Sequence, residues 1–171
     1  MKFLKFITIL FIFFGNFPYK NIAHAEVKNP KDYKVLSNDS KKLSISNVEN
    51  FINIGDKHIK NGDFDKAKDF YLDARNLAKQ LAAFYSDLNT SFRGIDARIP
   101  NEMQSKGKQT LKILAETNER LASLYIKTEK PEVAVPLLVE TIRIMSPNTQ
   151  EGKEAYERLI KLGFVETEYK G

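Results

Sequence analysis

Cysteine and tryptophan are absent from all 171 residues, and histidine occurs only twice, as His24 and His58. Without thiols there is no disulfide, so in an oxidising compartment packing alone must hold the fold. The same lack rules out a lipid-carrying cysteine at an export cleavage site. A His/Cys metal centre needs several such ligands, and a histidine-activated nucleophile needs a spare partner; neither can be assembled here. Glycine is sparse and never clustered, with Gly62 and Gly94 standing singly, so no loop cradles phosphate. Nothing implies a cofactor or a metal, and the inventory reads as that of a protein that is not an enzyme.

Long apolar runs are missing as well. Phe6 to Phe17 is the longest at 12 residues, short of the roughly 20 that span a bilayer. It follows a start with Lys2 and Lys5 and no acid, and precedes Ala23-His24-Ala25, small residues at the two positions a signal peptidase inspects. This order of charged, apolar and small segments is that of a secretory signal. Residues 1–25 are therefore read as a signal cleaved after Ala25; an uncleaved anchor is the competing reading. Export to a periplasm or an equivalent lumen follows, with membrane contact only through a partner. Three of the 27 basic residues and none of the 22 acidic ones leave with the signal, so the remaining 146 residues carry a net +2. That is poor material for nucleic acid, which needs basic residues gathered on one surface.

What is present is helical periodicity. Residues 26–45 are polar, interrupted by Pro30, and read as a flexible leader. Ser46-Asn47-Val48-Glu49 fits a capping box, and Asn61-Gly62 a helix stop. Asp63 caps a helix whose stripe is Ala67, Phe70, Tyr71, Ala74, Leu77, Ala78, Leu81, Tyr85 and Leu88, spaced by three and four throughout. The pattern breaks over 89–99, and Pro100 suits the first turn of a third helix burying Met103, Leu111, Leu114, Leu121, Ala122 and Tyr125. Pro131 opens a fourth, and Asn148 with Glu151 offers a second capping box for a last helix ending at Gly163. Nothing alternates as a strand would.

Within this pattern, Phe51, Ile54, Gly55, Phe64, Ala67, Tyr71 and Ala74 carry a resemblance to a tetratricopeptide repeat. In that family the matching places favour large apolar, leucine-like, small, aromatic and alanine residues; His58 stands where an aromatic is expected. Small residues let two helices cross closely while large ones fill the gap beside them. Leu121, Ala122, Tyr125, Ala134 and Leu138 resemble a second copy, 67 residues on, with Asn118, Pro131 and Thr141 departing from it. The intervening residues do not resemble a middle repeat. The SFRGIDARIP stretch is similar to uncharacterised exported repeat proteins of photosynthetic bacteria and plastids. The resemblance implies an all-α fold over 46–165: two TPR-like helical hairpins with overlong central helices, a C-terminal capping helix at 149–162, and a tail at 166–171.

It also implies a protein or peptide partner held on the concave side, where the matching positions are Ile52, Asp56, Ile59 and Lys60, then Glu119, Ser123, Ile126 and Lys127. Relatives that grip a terminal carboxylate carry lysine and asparagine where this chain has Ile52 and Asp56, which argues against such a clamp. A two-repeat groove is shallow, leaving room for a homodimer. The surface that stands out by residue type is Arg93, Asp96 and Arg98 in the loop beside Phe92, since half-exposed arginines next to an aromatic are good protein-binding material. The plainer reading pairs Asp96 with an arginine or caps the next helix with it, with Phe92 and Ile95 plugging the bundle end. Other constellations have plainer structural readings still. His58 occupies a packing position, Asp63 and Asp65 complement a helix dipole rather than form a calcium loop, and Glu116 with Glu119 are solvated helix acids before they are a hydrolase pair. Together these describe an exported scaffold or assembly factor, with a structural subunit as the alternative. N-terminal sequencing of the secreted chain is expected to begin at Glu26; an intact Met1 in the membrane fraction would establish the anchor instead.

Overall fold

A computed structural model describes residues 42–170. The signal at 1–25 and nearly all of the leader lie outside the described residues. Five helices follow in order: α1 (Ile45–Lys60), α2 (Phe64–Ser91), α3 (Arg98–Lys127), α4 (Pro131–Met145) and α5 (Gln150–Lys161). The described residues contain no strand, so the fold is all-helical.

Each helix packs on the next, and α1 also touches α3 lightly. Short polar links with left-handed glycines turn the chain back. Gly62 has φ +76° between α1 and α2, Gly94 has φ +83° between α2 and α3, and Gly163 has φ +76° after α5. Two core clusters result. One gathers Ala67, Tyr71, Leu121, Ala122, Ala134, Leu138, Ala155 and Leu159 from α2 to α5. The other joins Val48 and Ile52 of α1 to Ala78, Leu81 and Tyr85 of α2 and to Met103 and Leu114 of α3. The α2 stripe read from spacing is buried or half-buried along its whole length. With 28 and 30 residues against 16 and 15 for α1 and α4, α2 and α3 outrun their neighbours. Beyond Tyr85 and Met103, which still pack with α1, the last residues of α2 and the first of α3 form a short two-helix arm of roughly 9 Å at about 1.5 Å per residue, with residues 92–97 at its tip.

Several starts and ends differ from the sequence expectation. The first cap is Ser44, not Ser46: its side chain accepts from the Asn47 N–H, so α1 begins one residue earlier than the expected leader boundary. Thr149 rather than Asn148 caps α5, accepting from the Gly152 N–H. In both places two neighbouring residues have cap-competent oxygens, and the tertiary path of the chain selects between them. Helix α3 starts at Arg98, placing Pro100 inside its first turn, where the missing N–H has no helical partner to lose. The expectation that Ile95 plugs the bundle end is overturned, since it is 77 % exposed at the arm tip while Phe92 is half-buried.

Two glycines mark close approaches. A Cβ on Gly55 would lie 2.5 Å from the Tyr71 ring, and one on Gly152 would lie 2.0 Å from the Ser146 carbonyl oxygen. The second is a backbone atom, in a turn where Ser146 already has φ +74°, and cannot swing aside. Gly152→Ala is therefore expected to cost about 1–3 kcal/mol in urea unfolding, as overpacking does. Gly107→Ala, where the nearest atom is the Tyr85 Cβ at 3.7 Å, should raise stability by roughly 1 kcal/mol through helix propensity.

Candidate functional site

The charged side chains of the core side organise the helices before they form any surface. Glu140 of α4 is 8 % exposed. Arg75 Nη2 of α2 donates to its Oε2 at 2.6 Å, and Asn118 Nδ2 of α3 to the same oxygen at 3.1 Å. Lys79 Nζ meets Oε1 at 2.8 Å, and Arg75 Nε donates to Asn118 Oδ1 at 2.8 Å. Burial opposes the charge on Glu140, but the hydrogen bonds from Lys79, Arg75 and Asn118 outweigh it and hold the carboxyl at about 2. Asn118 and Thr141, which depart from the repeat pattern, thus have structural work. Asn118 joins this network, and fully buried Thr141 returns its hydroxyl to the Leu137 carbonyl at 3.1 Å.

A second network faces the other way. Asp56 of α1 accepts from the Tyr71 hydroxyl at 2.5 Å and from Arg120 Nε of α3 at 3.1 Å. Burial first, then the Asp56 hydrogen bond and charge, push the Tyr71 phenol above its ordinary range. Gly55 is what lets the Tyr71 ring lie flat under α1 to reach that carboxylate. Next to Arg120 in the chain, Glu119 of α3 accepts from Arg158 Nη1 of α5. Its other oxygen, Oε1, is buried without a hydrogen-bond partner. Burial pushes the Glu119 carboxyl up, against the pull of Arg158.

Between these groups lies a cleft of about 440 Å³ formed by α1, α2, α3 and α5. Ile59, Tyr71, Ala115 and Leu124 supply its apolar surface, and Glu116, Glu119, Arg120, Ser123, Lys127 and Glu154 its polar one. Of the concave positions expected from the sequence, Ile59, Glu119, Ser123 and Lys127 meet here, and Asp56 stands behind Tyr71. Ile52 is buried at 6 % and borders an adjoining cleft with Lys112 and Glu116. Ile126 packs on the core, and Lys60 is exposed in the last turn of α1 away from the cleft lining. Lys127 Nζ sits 4.6 Å above the centre of the Phe64 ring.

Arg93, Asp96 and Arg98 lie apart, at the arm tip. Asp96 accepts from the Arg98 backbone N–H at 3.0 Å and from its guanidinium at 2.7 and 3.1 Å, which starts α3 in the manner of a cap. Arg93 is exposed. His58 stacks on Phe70 at 5.4 Å and faces Asp63 at 3.5 Å, so it packs as an aromatic would. Asp63 accepts from the Lys66 N–H as the cap of α2. Among the described residues no three His, Cys, Asp or Glu side chains gather to hold a metal ion, and no helix is long and apolar enough to cross a membrane. Sequence reasoning missed Glu116, Arg120, Glu151 and Glu154 as cleft residues. Arg120 follows Glu119 in chain and reaches across to Asp56, a pairing visible only once α1 and α3 are side by side. Comparison with family models, with curated proteins and with solved structures returned no match.

Glu140 also makes stability depend on acid. Its folded value lies below the ordinary 4.5, so its contribution is full above about pH 4.5 and is lost as pH falls towards 2. A difference of this size is worth on the order of 3 kcal/mol. Denaturant midpoints of the wild type should fall across that window, whereas Glu140→Gln should start lower at pH 7 and lose less between pH 4.5 and 2.

Proposed function

We propose that this chain is an exported, non-catalytic module, similar to a short tetratricopeptide-repeat protein, that holds a segment of a partner protein in the cleft between α1, α3 and α5. The observation that carries this reading is the convergence of Ile59, Glu119, Ser123 and Lys127 on one cleft of about 440 Å³. Four of the eight residues chosen for a concave surface by their repeat positions lie together along a cavity with an apolar floor and polar edges, which supports the reading. Clefts of a few hundred Å³ with this mixture are the usual form of a ligand site. An extended or helical segment can lay alternate apolar side chains into such a floor while its polar atoms meet the rim. The paired arginine at the arm tip is spent on Asp96 and the start of α3, which weakens the tip as the main docking surface.

A second reading, a structural subunit of an envelope or membrane complex, is favoured by one observation. Ile95 stands 77 % exposed at the end of a two-helix arm, where docking against a neighbour would bury it.

Tagged full-length chain, used to capture proteins from the exported and membrane fractions of its own cells, separates the two. Ser123→Trp, which fills the cleft from an exposed position, is expected to abolish recovery of the dominant partner. Ile95→Asp with Arg93→Ala should leave recovery within about twofold. The reverse pattern would transfer the docking role to the arm.

A further inference from the structure

The cleft is unevenly charged in a way its fold does not require. Its edges carry Glu116, Glu119, Glu151 and Glu154 against two cations, Arg120 and Lys127. Both cations are already engaged: Arg120 by Asp56 and the Glu116 carbonyl, Lys127 by the Phe64 ring. Arg158 satisfies one oxygen of Glu119 and leaves Oε1 buried without a partner. Among the described residues Glu116 and Glu151 join no ion pair. Glu151 lies in the first turn of α5, where the helix dipole offsets part of its charge, but Glu116 sits mid-way along α3 and has no such relief.

Glu116 is half-buried in the cleft without an ion-pair partner, a costly state for a carboxylate that a donor brought by a ligand relieves. From this geometry we infer that the cleft selects a lysine- or arginine-bearing apolar segment of its partner, the cationic head reaching Glu119 and Glu116 while neighbouring apolar side chains cover Ile59, Tyr71 and Leu124. The inference rests on the reading of the cleft as a binding site. An acidic segment would meet unpaired carboxylates of its own sign in a partly desolvated setting, which is the arrangement that excludes partners most strongly. The aliphatic stem of lysine or arginine suits the apolar floor as well, since such stems lie along apolar surface with the charge at the edge. A segment longer than the cleft passes into the adjoining one, which shares Glu116 and Arg120.

The test is to pan a phage-displayed library of random twelve-residue peptides on immobilised full-length chain, and in parallel on Glu116→Gln/Glu119→Gln, on Glu116→Gln/Glu151→Gln and on Ser123→Trp. The second pair keeps the Arg158 bond, so it remains informative if loss of Glu119 perturbs folding by circular dichroism. Wild-type binders are expected to be enriched about tenfold in lysine or arginine beside leucine, isoleucine or an aromatic, and this cation enrichment should fall at least threefold on either glutamine pair. Binders that are neutral or acidic, or a cation enrichment that survives both pairs, overturn the proposal while leaving the cleft as a site. Peptides that bind Ser123→Trp equally well, or no enrichment over blank beads, overturn the cleft reading itself. A dimer in sedimentation that Ser123→Trp dissociates would make the occupant a second copy and overturn the partner segment.

Discussion

A single buried carboxylate sets the geometry of this molecule. Glu140 of α4 keeps its charge in a desolvated place because Arg75 and Lys79 of α2 and Asn118 of α3 converge on it. A buried ion pair adds little net stability over apolar packing, but a misplaced one is severely penalised. Three helices therefore have little freedom to slide or rotate: a shift of one residue along α3 takes the Asn118 amide away from Glu140 and from Arg75. The apolar faces of α2, α3 and α4 would tolerate neighbouring registers far better than this polar triangle does.

The cleft inherits that register. Asn118 and Glu119 are adjacent on α3 and point about 100° apart around the helix axis. With Asn118 fixed towards α4, Glu119 is directed at Arg158 and the cavity, and Ser123, one turn further, follows it to the open side. Asp56, Tyr71 and Arg120 then close the α1 side. The polar groups of the two sides form one framework in which the core network orients the site network.

Much of this was legible in residue spacing and some of it was not. The apolar stripe of α2, the overlong α2 and α3, the stop at Gly62 and the small residue at Gly55 follow from local periodicity and backbone preference, which need no knowledge of the rest of the chain. Glu140 gave no signal, because a glutamate on an amphipathic helix is ordinarily solvated and its donor Arg75 lies 65 residues away. Asn118 read as a departure from the repeat pattern for the same reason: its role exists only against α4. At Ser44 and Ser46 the two hydroxyls stand 3.0 Å apart, and local chemistry alone does not choose the cap. Of the residues chosen by position along a resembling repeat, Ile59, Glu119, Ser123 and Lys127 line the cleft while Ile52, Asp56, Lys60 and Ile126 do not, and Glu151 and Glu154 enter from α5, whose placement no local pattern encodes.

The arm beyond Tyr85 and Met103 has a further consequence. There Leu88 and Ile99 are only partly buried against the core, and the last residues of α2, the turn at Gly94 and the first residue of α3 are mostly exposed. Local opening in proteins begins where buried contacts are fewest, so this segment is the natural place for sub-global fraying while the Glu140 triangle stays closed. The molecule is in this sense mechanically graded along α2 and α3: a clamped half that carries the cleft, and a compliant half that ends in Ile95. A neighbour gripping the compliant end would stiffen it at an entropic cost of its own, without disturbing the register that shapes the cleft.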